Sequence, residues 1–169
     1  MRPKQRQAFF RGGLVLLLTS SIGLTTPTVW AATATTTFQV TATVQATCLI
    51  SATNLNFGTY TGVLVSSTST ITVTCTNTSP YNVGLNAGTA PGATVTTRKM
   101  SGPGGALLAY ALYQDAAHSI NWGNTVGTDT VAGTGNGNAQ ALTVYGQVGA
   151  GQFVTPGAYV DTITATITY

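Results

Sequence analysis

Residues able to do chemistry are scarce in this sequence. His118 is the single histidine, the acids are Asp115, Asp129 and Asp161, and there is no glutamate. Asp115 and His118 stand three apart and could join a serine in a proton relay, but no serine sits in a nucleophile-elbow motif. Acid–base work by paired carboxylates needs two acids held in different environments, and the three aspartates are well separated along the chain. A metal centre needs a cluster of His, Cys or carboxylate ligands, and the spacing offers none. Gly102-Pro103-Gly104-Gly105 lacks the lysine and the following helix of a phosphate-binding loop. Trp122, between Asn121 and Gly123 in a polar loop, could stack on a sugar ring or could cover one end of the core. These residues predict no enzyme, no cofactor and no metal.

The two cysteines, Cys48 and Cys75, matter only once the compartment is known. Arg2, Lys4, Arg6 and Arg11 precede an apolar run from Leu14 to Leu24 that is short for a membrane span, and Pro27 ends it. Val29-Trp30-Ala31 follows, with small residues where a signal peptidase reads. This layout predicts a cleavable export signal over residues 1–31 and no stable membrane insertion. In an oxidising compartment Cys48 and Cys75 are expected to bridge. The bridge closes a loop of 28 residues, worth about 3–4 kcal/mol in the chain-entropy model. Without residues 1–31, Arg98 and Lys99 stand against three aspartates, a net charge of −1. The sequence pI of about 9.1 thus belongs to the signal, and no basic patch remains for nucleic acid.

The elements that must position these residues read as strands. Threonine is the commonest residue of the remaining 138, with thirty copies, and threonine and valine suit a pleated surface. No amphipathic helix pattern is present. Residues 37–45 alternate strictly, with Phe38, Val40, Ala42 and Val44 on one face, and the pattern continues to Cys48 and Ile50. Residues 70–76 place Ile71, Val73 and Cys75 on one face, and Tyr81, Val83 and Leu85 do the same in the next run. A weaker strand is predicted over 93–100, and a more continuously apolar, central one over 107–113. Residues 114–139 read as irregular, 142–148 as a strand. The final run places Tyr159, Ile163, Ala165, Ile167 and Tyr169 on one face, with Asp161 the exception. That carboxylate must lie at a strand edge or be hydrogen-bonded. About seven short strands between Gly, Pro and Asn turns predict a single all-β sandwich. Its terminal strands are cleaner than frayed termini usually are.

Together these pieces resemble the spore coat protein U domain, the fold of archaic chaperone–usher (Csu-type) pilins. The resemblance is carried by the alternating 38–44 segment before Cys48, by Leu55-Asn56-Phe57-Gly58-Thr59-Tyr60, and by Ile71-Thr72-Val73-Thr74-Cys75. It continues through Arg98-Lys99-Met100, residues 108–115, Trp122-Gly123, Tyr145-Gly146 and residues 157–162. The resemblance implies an immunoglobulin-like sandwich that lacks its final strand. A periplasmic chaperone, and then a neighbouring subunit delivered at an outer-membrane usher, would supply that strand. It further implies that residues 32–46 are a donor-strand extension whose Phe38, Val40, Ala42 and Val44 insert into a neighbour. Residues 47–169 would be the pilin domain, with Tyr159, Ile163, Ala165, Ile167 and Tyr169 lining the groove that receives the strand. The expected function is a homopolymerising subunit of a surface pilus serving adhesion and biofilm formation. A coat protein of the same family and a secreted sugar-binding module using Trp122 are the alternatives.

Overall fold

Alternating threonine and apolar residues build the longest ladder in the molecule. The computed structural model describes residues 27 and 29–169. The expected export signal falls almost wholly outside them. Eight strands form, β1 Cys48–Ala52, β2 Val65–Cys75, β3 Pro80–Leu85 and β4 Arg98–Ser101, then β5 Leu107–Tyr113, β6 Val131–Thr134, β7 Ala139–Val148 and β8 Ala165–Thr168. One sheet has the order β1-β2-β7-β5-β4 and the other β6-β3-β8. Every ladder is antiparallel.

Side chains alternate across each strand, so one face of each sheet is apolar. Ile71 and Val73 of β2, Leu108, Tyr110 and Leu112 of β5, and Val144 and Val148 of β7 are buried. Tyr81, Val83 and Leu85 of β3 complete the same cluster from the second sheet. Two antiparallel sheets closing on one apolar core make a sandwich. No helix among the described residues is long and apolar enough to cross a membrane.

Several expectations are corrected. The 37–45 run has no ladder: residues 29–47 carry no secondary structure and are exposed, and β1 begins at Cys48. Alternation makes a face ready to be buried, but a strand also needs a partner edge, and this segment has none in a single chain. The 93–100 strand shrinks to Arg98–Ser101, because Thr94 turns the chain and receives the Thr97 N–H on both its carbonyl and its hydroxyl oxygen. β5 lies inside its sheet, paired with β4 on one side and β7 on the other, as expected of a central strand. The irregular 114–139 stretch contains β6, whose short Val-Ala-Gly-Thr run carries little alternation. In the final run only Ala165–Thr168 forms a regular strand.

The register at the cysteines is direct. Cys48 faces Cys75 across β1 and β2, and the two are disulfide-bonded. The ladder is prolonged one step by the Thr76 N–H, which donates to the Thr47 carbonyl at 3.0 Å.

Candidate functional site

β1 pairs only with β2 and β8 only with β3. Each therefore keeps one rim of unpaired N–H and C=O groups, a ready template for another strand. Between residues 52–57, which run on from the end of β1, and residues 159–165, which run into the start of β8, the sandwich is open. The opening holds about 630 Å³, and its floor is core: Ile71, Leu85, Tyr110, Leu112 and Val144. Past Leu55, Phe57, Met100 and Tyr159 it continues into a second stretch of about 670 Å³ that reaches Gly62 and Phe153. The floor of the groove is thus the sandwich's own core.

The walls are held by polar staples. Asp161 Oδ1 accepts the Thr89 N–H at 2.8 Å, the Thr89 hydroxyl at 2.9 Å and the Thr162 N–H at 2.8 Å. Its Oδ2 accepts the Tyr110 hydroxyl at 2.8 Å. The carboxylate on the apolar face is thus hydrogen-bonded, one of the two arrangements that burial cost allows. Burial first, and then the bond to Asp161, push the Tyr110 hydroxyl above its ordinary value of 10.0. Asn86 exchanges bonds with the same wall: its N–H donates to Thr164 O and its side-chain oxygen accepts the Thr164 N–H. A bridge between Ser101 and Val160 fixes the wall's other end to β4. Farther along, Gln152 offers its amide to both the N–H and the carbonyl of Ala109, and its own N–H donates to the Tyr60 hydroxyl.

Of the residues singled out for the wall, Tyr159, Ile163 and Ala165 line the groove. Ile167 leans on the core beyond it. Tyr169 follows the last ladder residue and is 57% exposed. Phe38, Val40 and Val44 are 84%, 85% and 86% exposed, and Ala42 is exposed with them.

Trp122 is not a sugar platform. It is 1% exposed, and its indole N–H donates to Val83 O at 2.8 Å, so no ring face is free for a ligand. Asp115 and His118 form no relay either. Asp115 accepts the Ser119 hydroxyl and the backbone N–H groups of Ser119 and Ile120, and His118 stands edge-on between Tyr113 and Tyr145. The Ser119 hydroxyl bond, and then the Ile120 N–H, lower the Asp115 carboxyl below its ordinary value. Among the described residues no group of His, Cys, Asp or Glu could hold a metal ion.

Arg98 is the residue that reading by pattern misses. It is fully buried, yet it faces no carboxylate in hydrogen-bond reach. Its guanidinium donates to four carbonyls: Asn86 O at 2.8 Å, Val95 O at 2.6 Å, Leu85 O at 2.9 Å and Trp122 O at 2.7 Å. Burial lowers the pKa of the group, and the negative potentials of Tyr110, Asp161 and Asp129 oppose that. The available signal was the lone Arg-Lys pair, since no other lysine or arginine follows Arg11.

Comparison with known proteins agrees with this architecture. A family model described as the Spore Coat Protein U domain matches residues 34–166. The chain is 39% identical over 128 residues to Protein U of Myxococcus xanthus, covering 68% of this chain and 71% of that protein. In three dimensions it is similar to a chain of the CsuC–CsuE chaperone–tip adhesion subunit pre-assembly complex, from archaic chaperone–usher Csu pili of Acinetobacter baumannii. That likeness has a TM-score of 0.57 at 22% identity, over 75% of this chain but only 41% of the other. HdaB, the minor tip subunit of the E. coli Hda pilus, aligns at 22% identity over 70% of this chain and 79% of that one, with a TM-score of 0.37, too loose to bear on the fold. The sandwich is immunoglobulin-like, similar in fold to that chain of the Csu complex, and the chain belongs to the spore coat protein U domain family.

Proposed function

We propose that this chain is a subunit of a chaperone–usher surface pilus and polymerises by donor-strand exchange. The observation that carries the reading is the groove floored by core residues between two unpaired strand rims. An extended segment entering it would gain main-chain bonds from both rims while its alternate side chains cover Ile71, Leu112 and Val144. The chain also owns a matching segment: residues 32–46 are exposed, carry no ladder, and present Phe38, Val40, Ala42 and Val44 at a two-residue spacing. A periplasmic chaperone fills the groove first, and residues 32–46 of the next copy replace it at an outer-membrane usher. The product is a homopolymeric fibre at the cell surface, serving adhesion and biofilm formation. Cleavage after Ala31 frees the segment, and the disulfide secures β1, one wall of the groove, before assembly.

The 39% identity to Protein U and the family's spore-coat description favour a second reading, in which the same exchange builds a coat on a cell or spore surface. The experiment for the first is deletion of residues 33–44 in cells that also make a periplasmic chaperone and usher. The shortened subunit should still be isolated with the chaperone and form no fibre. Normal fibres from the deletion overturn the assignment.

A further inference from the structure

We propose that Asp161, clamped by Tyr110, sets the register of the exchanged strand by admitting only Ala42 of a second copy beside it. This rests on the strand-exchange reading above. The inward positions of the wall are Tyr159, Asp161, Ile163 and Ala165, and Asp161 is the one that is not apolar. It lines the groove, yet it cannot swing aside. Tyr110 holds one oxygen, Thr89 and Thr162 hold the other, and the backbone at Gly88 is packed so closely on the carboxylate that a Cβ there has no room. The inward row of this wall, otherwise apolar, therefore contains one rigid polar step.

The occupant is the alternating segment of another copy. All the described ladders are antiparallel, and an entering strand that runs antiparallel to β8 extends the second sheet in the same way. A slip of one residue would turn Phe38, Val40, Ala42 and Val44 to solvent. The competing registers are thus two residues apart, and they set Val40, Ala42 or Val44 opposite Asp161. A branched apolar side chain pressed on a clamped carboxylate removes water from it and returns no hydrogen bond. Alanine is the smallest side chain on offer. Ala46 is not an alternative, because Thr47 beside it is tied to Thr76 of its own sandwich.

With Ala42 opposite Asp161, the remaining pairs follow from the ladder. Val44 meets Tyr159, Val40 meets Ile163, and Phe38 meets Ala165. The largest inserted side chain then lies against the smallest wall residue, and the smallest lies against the polar step. A shift of two residues in one direction sets Phe38 against Ile167 and Val44 against Asp161. The opposite shift sets Phe38 against Ile163 and Val40 against Asp161. Only one register satisfies both ends.

Cysteine pairs in the full chain, assembled into fibres and oxidised, read the register directly. Facing residues on antiparallel strands have Cβ atoms about 4.5–5.5 Å apart, against about 7–8 Å on the diagonal. Val40→Cys with Ile163→Cys should give covalent multimers on non-reducing gels, and Val40→Cys with Ala165→Cys should give about tenfold fewer. Preferred linkage to position 165, or to a cysteine at 159, overturns the register while leaving strand exchange in place. As a second measurement, Ala42→Val should lower fibre yield about tenfold, whereas Val40→Ile, which adds one methylene opposite Ile163, should change it less than about threefold. Equal tolerance at 40 and 42 also overturns the proposal. If no pair links and deletion of residues 33–44 leaves fibres intact, it is the strand-exchange reading itself that fails.

Discussion

Replacing Arg98 with methionine tests how much a buried cation with backbone partners contributes to the stability of the fold. The guanidinium is fully buried and donates to four carbonyls that belong to the backbone. A buried ion pair can often be exchanged for apolar residues at little cost, because both partners leave together. Here the acceptors stay. Leu85 O and Trp122 O lie in the interior, and an unsatisfied buried acceptor costs about 1–3 kcal/mol. Asn86 O and Val95 O are partly exposed, and water can serve them. Methionine fills most of the vacated volume and spares the desolvation of a charge. The expected loss is about 3–5 kcal/mol, a large part of the 5–15 kcal/mol typical of a domain. For a domain of this size that lowers Tm by about 10–20 °C. Thermal unfolding of the purified, non-reduced chain reads it, with Lys99→Met, one residue on and facing outward, as the comparison. That change should stay within about 0.5 kcal/mol. Arg98→Lys, with a shorter reach and three donors, should recover part of the loss. A fall of less than about 3 °C for Arg98→Met would refute the argument.

Other expected outcomes are independent of it. Val40→Asp should abolish fibres and Thr41→Asp should not, since the two add the same charge to opposite faces of one strand; electron microscopy with export checked in parallel decides, and equal behaviour means that no single face is inserted. Thiol titration of the unreduced chain should find no free thiol, and Cys48→Ser with Cys75→Ser should cost about 2–5 kcal/mol. Raising the pH should weaken the fold through Tyr110: its folded pKa is raised, so its contribution is intact below about pH 10 and fades above it, as the unfolded chain releases a proton the folded one keeps. Tyr110→Phe should flatten that alkaline decline in a pH series of unfolding curves, and an unchanged slope would count against the cause given. Trp122→Phe should destabilise by about 1–3 kcal/mol, by orphaning Val83 O, with no effect on any glycan binding.

How much of this was legible in the sequence depends on where the signal resides. β2, β3 and β7 were readable because one face is buried and period-2 alternation records that face residue by residue. The inward set Ile71, Val73 and Cys75 is an example. The disulfide was readable because two cysteines in a chain expected to be exported leave little choice. β6 was not readable: a four-residue strand of Val, Ala, Gly and Thr is made a strand by the β3 edge beside it, not by its own composition. The reverse error at 37–45 has the same root. Alternation reports a strand's readiness for burial and says nothing about whether a partner edge is present. Arg98 and Asp161 escaped full reading because their partners are backbone groups and a tyrosine many residues away, contacts that no local pattern encodes.

The free rims that make the groove useful also make the lone subunit hazardous. An unpaired rim beside a groove floored by core residues invites any extended chain, and natural sheets guard such rims with charge, proline or a covering element. This chain has almost no charge to spend on that task, since Arg98 is buried and Asp161 is engaged. Along the wall from Tyr159 to Ile167 no lysine or proline intervenes. Protection on the proposed reading comes from outside, from something extended and apolar that fills the groove without holding it permanently. On the proposed reading the two occupants differ in one respect that the polar step at Asp161 can sense. The copy's own strand carries alanine at position 42, while a temporary occupant with a larger residue there would bind less well and be released in its favour. Grafting a bulkier side chain at Ala42 should therefore narrow the gap between the two occupants, and exchange should slow even where the strand still inserts.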